Sequence, residues 1–349
     1  MPIVSHSDLN LNYQLVGPEL QPSQPPVAPI HGLGANMAFW YLGPVRHMGR
    51  DRSLLLHDMR GHGASSMPAC GYGLEHLSND YLMLLDRLNI RRAHVVGHSH
   101  GARVALYFAL NHPDRVESLT IADTQVRALQ APMKLRDWPH WPEWKADLIA
   151  RGVTSFPPED SEIDFRLLAS LGPRGAGGGG GRAQADMAGV TQLPRRGRRG
   201  PAANLGSLGT SGSRRIDLRS RQMGARGSEQ WQRLLDATSA ADELHDESGL
   251  TPDDFRHLTM PVFLMYGQMS HCLPTADRLM ELLPNARRLL VPEAGHFFPI
   301  VKPQVFARGL RMFLARVDTD AARPVSGLPA LARAFDRTPA PLHLARKAS

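Results

Sequence analysis

Two cysteines, Cys70 and Cys272, occur in 349 residues. That is too few for a disulfide framework or for a zinc site of the usual Cys/His spacing. It fits a reducing, cytosolic setting, and no metal is expected. No run of eighteen apolar residues is present, so no transmembrane helix and no membrane partner are expected. The opening stretch, MPIVSHSDLNLNYQL, lacks a basic segment followed by an apolar one, so no secretory signal is expected. The chain also lacks a glycine-rich phosphate loop ending in Lys-Ser/Thr, and no cofactor is expected. Acidic charge is scarce in one place only. Residues 182–227 hold ten Arg and two Asp, which gives +8 of the total +7 and leaves the rest of the chain at −1. The basicity therefore belongs to one segment rather than to a folded face. That segment has no interleaved aromatics and no RNA module, so a nucleic-acid partner is not expected.

What is present falls into three textures. Residues 1–125 alternate short apolar runs (LNYQLV, PVAPI, SLLLHD, AHVVGHS, VESLTIAD) with helical patterns. EHLSNDYLMLLDRLNI sets Leu77, Tyr81, Leu84, Leu85 and Leu88 at helical spacing, and ARVALYFALNH stops at His112-Pro113. Strands alternating with helices predict a parallel sheet covered on both faces. Residues 126–249 break the rhythm. WPHWPEW packs three tryptophans into seven residues, SFPPEDSEIDFRLLASL reads as helical after its prolines, and seven glycines fall in the ten residues 172–181. The Gly/Arg-rich stretch 172–227 predicts a flexible loop, with order resuming at EQWQRLLDATSA. Residues 250–316 return to strands (MPVFLMYG, ARRLLV) and helices (TADRLMELLP, PQVFARGLRMFLARV). Residues 317–349 read as a poorly ordered tail.

The chemistry concentrates in VVGHSHGARVAL, where Gly97, Ser99 and Gly101 spell G-x-S-x-G between an apolar strand and a helix. In that context the motif predicts a sharp turn that lifts the Ser99 hydroxyl above the sheet. The N–H of His100 then opens the helix and faces a developing oxyanion. IHGLGANMAFW offers the N–H of Leu33 as a second donor. PEAGHFFP places His296 in a late turn after a strand, where it is a candidate general base.

These pieces resemble the α/β-hydrolase family through HGLG at 31–34, DMRGHG at 58–63, GHSHG at 97–101, HPDRV at 112–116, MPVFLMYG at 260–267 and GHFFP at 295–299. The resemblance implies an α/β-hydrolase fold: a mostly parallel eight-stranded sheet with helices on both faces. It makes residues 1–125 and 250–316 the core and residues 126–249 a helical cap inserted after the sixth strand. It also implies that Asp58, Arg60 and His62 are structural.

One expected residue is missing. Much of this family resembles G-x-x-D-x-x-x-P after the seventh strand, and here Gly267 and Pro274 flank Ser270 in the aspartate's place. A serine hydroxyl can accept a hydrogen bond from an imidazole but cannot balance an imidazolium charge. Another layout that family members resemble carries the acid after the sixth strand, where this chain has Asp123. Asp123 is the expected acid, ahead of Asp137, Asp160 and Glu293. The alternative is that Asp123 caps a turn. The expected function is a serine hydrolase cleaving a small carboxylic ester, lactone or thioester. Its components would be Ser99, His296 and Asp123, with the N–H groups of Leu33 and His100 around the oxyanion. The same set supports a C–C bond hydrolase or a cofactor-free perhydrolase, and loss of the acid would leave a non-catalytic binding protein. Ser99 excludes a dehalogenase mechanism, which needs a carboxylate nucleophile. Trp138, Trp141, Trp144, Trp231 and Phe297 are candidates for an apolar acyl pocket, the tryptophans alternatively forming the cap's own core. The expected partner is a small acyl substrate, and the expected state a monomer or homodimer.

Overall fold

The computed structural model describes residues 2–6, 9–48, 52–150, 153–163 and 229–321. The predicted flexible loop at 172–227 lies outside them, as does the predicted tail beyond Ala321. Eight strands form one sheet: β1 (Ile3–His6), β2 (Leu9–Val16), β3 (Val27–Ile30), β4 (Leu54–His57), β5 (Ala93–His98), β6 (Val116–Ala122), β7 (Val262–Gly267) and β8 (Ala286–Val291). Their order is β1-β2-β4-β3-β5-β6-β7-β8. Strands β1 and β2 join antiparallel at one edge, and every pairing from β4 onward is parallel. The chain therefore has the α/β-hydrolase fold, with a sheet that is mostly parallel as its sequence implied.

The apolar runs of the central strands are buried on both faces, which is what a parallel sheet between helical layers requires. Alternate side chains go to opposite cores. Leu55, Val95 and Leu264 join one cluster with Leu84, Val104, Phe108 and Leu279, which come from helices Leu74–Arg87, His100–Asn111 and Leu273–Leu282. Leu56, Val96 and Met265 join the other with Trp40, Phe306, Leu310 and Phe313. Register aligns the strand ends: Ile30 lies opposite Gly97, His98 opposite Ala122, Ala122 opposite Met265, and Gly267 opposite Val291. The loops after β3, β5, β6, β7 and β8 consequently leave from one edge, where open α/β sheets carry their sites.

Some elements differ from the sequence reading. Strand β1 was hidden because IVSH is short and only Val4 of it is buried. Helix Trp141–Ala150 begins inside the tryptophan-rich stretch at 138–144. Of SFPPEDSEIDFRLLASL, read as helical after its prolines, residues 155–163 form irregular backbone with a turn and a bridge at Glu162, and the remainder lies outside the described residues. The last helix runs from Pro303 to Ala321, beyond the boundary placed at 316.

The insertion between β6 and β7 has a small core of Leu135, Trp141, Leu148 and Ile163. A helix at 229–237 begins its return to the sheet. A second cluster, with Leu234, Ala240 and Leu244 from the returning limb against Tyr72, ties it to the main body. The Glu243 carboxylate reinforces this by accepting the backbone N–H groups of Gly71, Tyr72 and Gly73.

The DMRGHG stretch after β4 has a structural part. The buried Asp58 carboxylate accepts the Met37 N–H at 2.7 Å, the Asn12 side-chain amide at 2.7 Å and the Ala64 N–H at 2.9 Å. It thereby fixes the segment after the His31–Gly32 turn. Gly63, at φ +54, passes so close that a Cβ would meet Asp58 Oδ2 at 2.1 Å. Arg60 pairs with Asp80 in the middle of helix Leu74–Arg87. Asp58→Ala would leave two buried donors, the Met37 N–H and the Asn12 amide, without this acceptor, and each such orphan is costly. The expected loss is roughly 2–4 kcal/mol, read as a lower urea midpoint with an unchanged denaturant slope.

Candidate active site

The segment at Ser99 turns because its glycines leave no room for anything else. A Cβ on Gly97 would lie 2.4 Å from the Gly101 carbonyl oxygen, and one on Gly101 would lie 2.4 Å from the carbonyl oxygens of Ile30 and His31. Only bare backbone lets the strand reverse into helix His100–Asn111 and press that helix against β3. Ser99 is held at φ +55, ψ −123, a strained backbone found where structure over-determines a functional side chain. Its N–H donates to the Ala122 carbonyl at 3.1 Å, which extends the β5–β6 ladder up to the turn.

The neighbouring strand end supplies Asp123, also at positive φ (+49), with its N–H on the Met265 carbonyl at 2.9 Å. Its side chain is fully buried. Oδ2 accepts the Gly267 N–H at 2.8 Å. Oδ1 accepts the Ser270 hydroxyl at 2.5 Å and the His296 Nδ1–H at 2.9 Å. The opposite ring nitrogen, His296 Nε2, lies 3.0 Å from Ser99 Oγ. The carboxylate fixes the tautomer: with the proton on Nδ1, Nε2 presents a lone pair to the Ser99 O–H. Burial alone would push Asp123 upward, but the His296 hydrogen bond and charge, with the donors Ser270 and Gly267, hold it below the ordinary carboxylate range.

Thus Ser99, His296 and Asp123, from three strand ends, meet in one hydrogen-bonded line. Asp137, Asp160 and Glu293, the weaker acid candidates, are all exposed. Ser270, which stands where an aspartate was expected, bonds the acid rather than the base. A Cβ on Gly267 would collide with the Ala294 carbonyl at 2.3 Å, so this glycine lets the loop bearing His296 close over β7.

Sequence reasoning missed three further groups. His98, beside Ser99, is buried, stacks on Phe39 with ring centroids 4.7 Å apart, and donates Nε2–H to the His296 carbonyl at 2.9 Å. The only sequence signal was its place in the G-H-S turn. His271 lies 5.5 Å from His296 between ring centroids, and Cys272 Sγ lies 3.9 Å from His296 Nδ1. Neither belongs to a recognisable motif.

The turn and the helix start that carry Leu33 and His100 lie next to Ser99. The Gly32 position is so close that a Cβ there would touch Ser99 Cβ at 3.1 Å, which brings the His31–Leu33 turn to the hydroxyl. His100 opens its helix. Its side chain is 2% exposed, and both ring nitrogens are buried without a hydrogen-bond partner among the described residues. Of the pocket candidates, Phe297 packs edge-on to His296 at 5.1 Å, and Trp138 lies edge-on to His271 at 6.1 Å. Trp231 covers Gly34 and faces His62 at 6.3 Å. Trp141 is buried in the cap's own core instead. The side chain of Trp144 lies outside the described residues. A cleft of about 570 Å³ lined by Ser65, Met67, Glu229, Gln230 and Arg233 lies under the returning limb and does not include the Ser99–His296 pair.

Comparison with known proteins agrees with this architecture. The family model for the alpha/beta hydrolase fold matches residues 25–160. A protein of Stutzerimonas stutzeri named as a carbamate hydrolase, RutD, is 37% identical over 111 residues, 31% of this chain and 41% of its own length. The 3-oxoadipate enol-lactonase 2 of Acinetobacter baylyi is 31% identical over 124 residues, 36% of this chain and 45% of its own. The chain thus spans less than half the length of the curated relatives it matches. Among solved structures, the enol-lactonase from Burkholderia xenovorans superposes with a TM-score of 0.57 at 20% identity, covering 90% of this chain and all of that one.

Buried, neutral histidines surround the site, and a further one, His94, lies at the opposite end of β5. Burial lowers His57 and His271 to about 4 and His94 and His98 to about 3, with neighbouring positive charges adding to the effect at the last three. It also lowers His31, His62 and His100. Each would bind a proton in the unfolded chain below about pH 6.5 and none in the folded one. Stability should therefore fall as pH drops from about 6.5 toward 4, by roughly 1.4 kcal/mol per pH unit for each fully depressed histidine. Asp123 acts in a lower window: its stabilising contribution is complete above its unfolded value near 3.8 and vanishes as pH falls through its lower folded value. Urea midpoints at pH 7, 6 and 5 check this, and His94→Gln should flatten the slope by one proton.

Proposed function

We propose, for a chain with the α/β-hydrolase fold, a serine hydrolase that cleaves a small carboxylic ester or lactone through an acyl-enzyme. The observation that carries this reading is the unbroken line Ser99 Oγ, His296 Nε2, His296 Nδ1, Asp123 Oδ1, with separations of 3.0 and 2.9 Å at its two hydrogen bonds. The Ser99 proton passes to His296 Nε2 as Oγ bonds to the substrate carbonyl carbon. The carbonyl oxygen takes the negative charge and is held by the N–H groups of Leu33 and His100. Collapse breaks the carbon–oxygen bond of the leaving group, which collects the proton from Nε2. A water molecule then repeats the sequence on the acyl-enzyme and frees the acid.

Asp123 stays ionised throughout. Its carboxylate is already saturated by Gly267 and Ser270, so it offers His296 a fixed negative charge with no rearrangement during the reaction. A relative at 31% identity carries an enol-lactonase name, which supports lactones and small esters within the ester class. Trp138, Phe297 and Trp231 approach from the cap and loop sides and are the best placed to contact an apolar acyl group. The thioester remains inside the same mechanism, since only the leaving group changes. A binding protein with a broken triad is disfavoured, because Asp123 fills the role that Ser270 cannot.

A fluorophosphonate probe should label Ser99, and the adduct should be absent from Ser99→Ala. Asp123→Asn should slow labelling roughly 10⁴-fold, the usual effect of neutralising a triad aspartate. Ser270→Ala removes one hydrogen bond from a carboxylate that keeps two, and should cost only about tenfold. Adding Ser270→Asp to Asp123→Asn should recover part of the loss, because the new carboxylate would lie beside the same imidazole. Equal labelling of wild type and Asp123→Asn would refute the assignment of the acid. A folded wild type that takes no label would refute the hydrolase.

A further inference from the structure

Cys272 is buried beside the triad, and the mechanism above makes no use of it. Its Sγ lies 3.9 Å from His296 Nδ1 and 3.4 Å from His271 Nε2, and His296 Nδ1 lies 2.9 Å from Asp123 Oδ1. Ligand atoms of Asp123, Cys272 and His296 all fall within 4.8 Å of one another. We propose that these three side chains, with His271 as a fourth, form a binding site for a thiophilic divalent cation, zinc above all, and that its occupancy switches the triad off.

The geometry suits the ion. Tetrahedral zinc, with bonds of about 2.3 Å to sulfur and 2.0–2.2 Å to nitrogen and oxygen, sets its ligand atoms about 3.4–3.6 Å apart. The spacings of 2.9, 3.4 and 3.9 Å bracket that edge; drawing Asp123, Cys272 and His296 together from within 4.8 Å takes shifts of about an ångström, and His271 has to swing inward to complete the shell. The ligands also come from rigid places: the end of β6, the turn after β7 and the turn after β8. The Trp138 ring stands edge-on to His271, and Ser270 Oγ accepts the Cys272 N–H at 3.1 Å.

Charge balances as well. A thiolate and a carboxylate neutralise a divalent cation, so the filled site would carry no net charge into a buried setting. Without the ion, burial and the Asp123 charge keep the thiol protonated. Binding therefore releases the thiol proton to solvent. It also takes the Nδ1 lone pair of His296, which moves the imidazole proton to Nε2. An Nε2 that already bears a proton cannot accept the one on Ser99. Binding and catalysis thus compete for one ring.

Metal binding is independent of the hydrolase reading, and the inhibitory consequence rests on it. Cobalt(II) added to chelator-treated full-length protein gives separate readouts. One equivalent should produce a thiolate-to-cobalt charge-transfer absorption in wild type and in Cys70→Ser, displaced by zinc, and absent from both Cys272→Ser and Cys272→Ala. No such absorption in wild type, or its persistence in the Cys272 variants, would overturn the site. Zinc should slow fluorophosphonate labelling of Ser99 by roughly tenfold or more in wild type, reversibly by chelator, and much less in the Cys272 variants. Absorption with unchanged labelling would overturn the switch. A metal-free protein that never labels would count against the hydrolase alone, since the absorption still decides the site.

Discussion

The site depends on one buried negative charge. A carboxylate with no exposed surface survives only where donors replace the water it has lost, and Asp123 finds three: a backbone N–H, a hydroxyl and an imidazole. Each comes from a different position along the loops after β7 and β8, so the charge sets where those loops can go. The relation also runs backward through the sheet. Asp123 is placed by its own N–H on Met265, and Ser99 by its N–H on Ala122. The same ladders that hold three parallel strands together therefore set the spacing of Ser99 and Asp123. A shift of one residue in any of these registers would turn a site residue to the other face.

Close approach is the second constraint, and glycine meets it. Gly97 and Gly101 let helix and strand meet at Ser99, Gly32 lets the oxyanion turn touch that residue, and Gly267 lets the His296 loop lie over β7. At each place the obstructing atoms are backbone or the site itself, which cannot yield. Around this core the histidines act as neutral hydrogen-bonding groups. His31 shows the pattern: Nδ1–H donates to the Gly32 carbonyl at 2.8 Å, and Nε2 accepts the Met59 N–H at 3.1 Å. Two loops are tied together by a ring that holds no charge. His98 does the same for the His296 turn. Such rings suit a site whose one fixed charge is negative, because a second buried charge nearby would alter the balance on which His296 depends.

Much of this was legible in the sequence, and the reasons differ by residue. Ser99 was readable because a G-x-S-x-G between an apolar strand and a helix is a local geometry, fixed by contacts within a few residues. The central strands were readable because burial on both faces leaves continuous apolar runs such as VFLMYG. Strand β1 was not, since its pairing with β2 needs little burial. The Trp141 helix and the fate of each tryptophan were not readable either. An aromatic cluster can fill a cap or line a pocket, and only packing decides between Trp141 inside the cap and Trp138 beside His271. His98 and Cys272 were invisible for a plainer reason: their contacts with His296 span 198 and 24 residues, and no period or motif encodes them.

The serine at 270 shows how an acid can change strands without the site changing shape. The ends of β6 and β7 are adjacent, and Ala122 pairs with Met265 one step below the loops. Ser270 and His296 thus meet at one oxygen, Asp123 Oδ1, from neighbouring loops. Two carboxylates there would repel, and one would hold a proton and lose its use. A site of this geometry therefore tolerates one acid, and the other position does best as a neutral donor to it. Ser270 is that donor: its hydroxyl lowers the Asp123 pKa instead of competing with it. The absent aspartate at 270 and the buried aspartate at 123 are two sides of a single constraint, that one imidazole is paired with one charge.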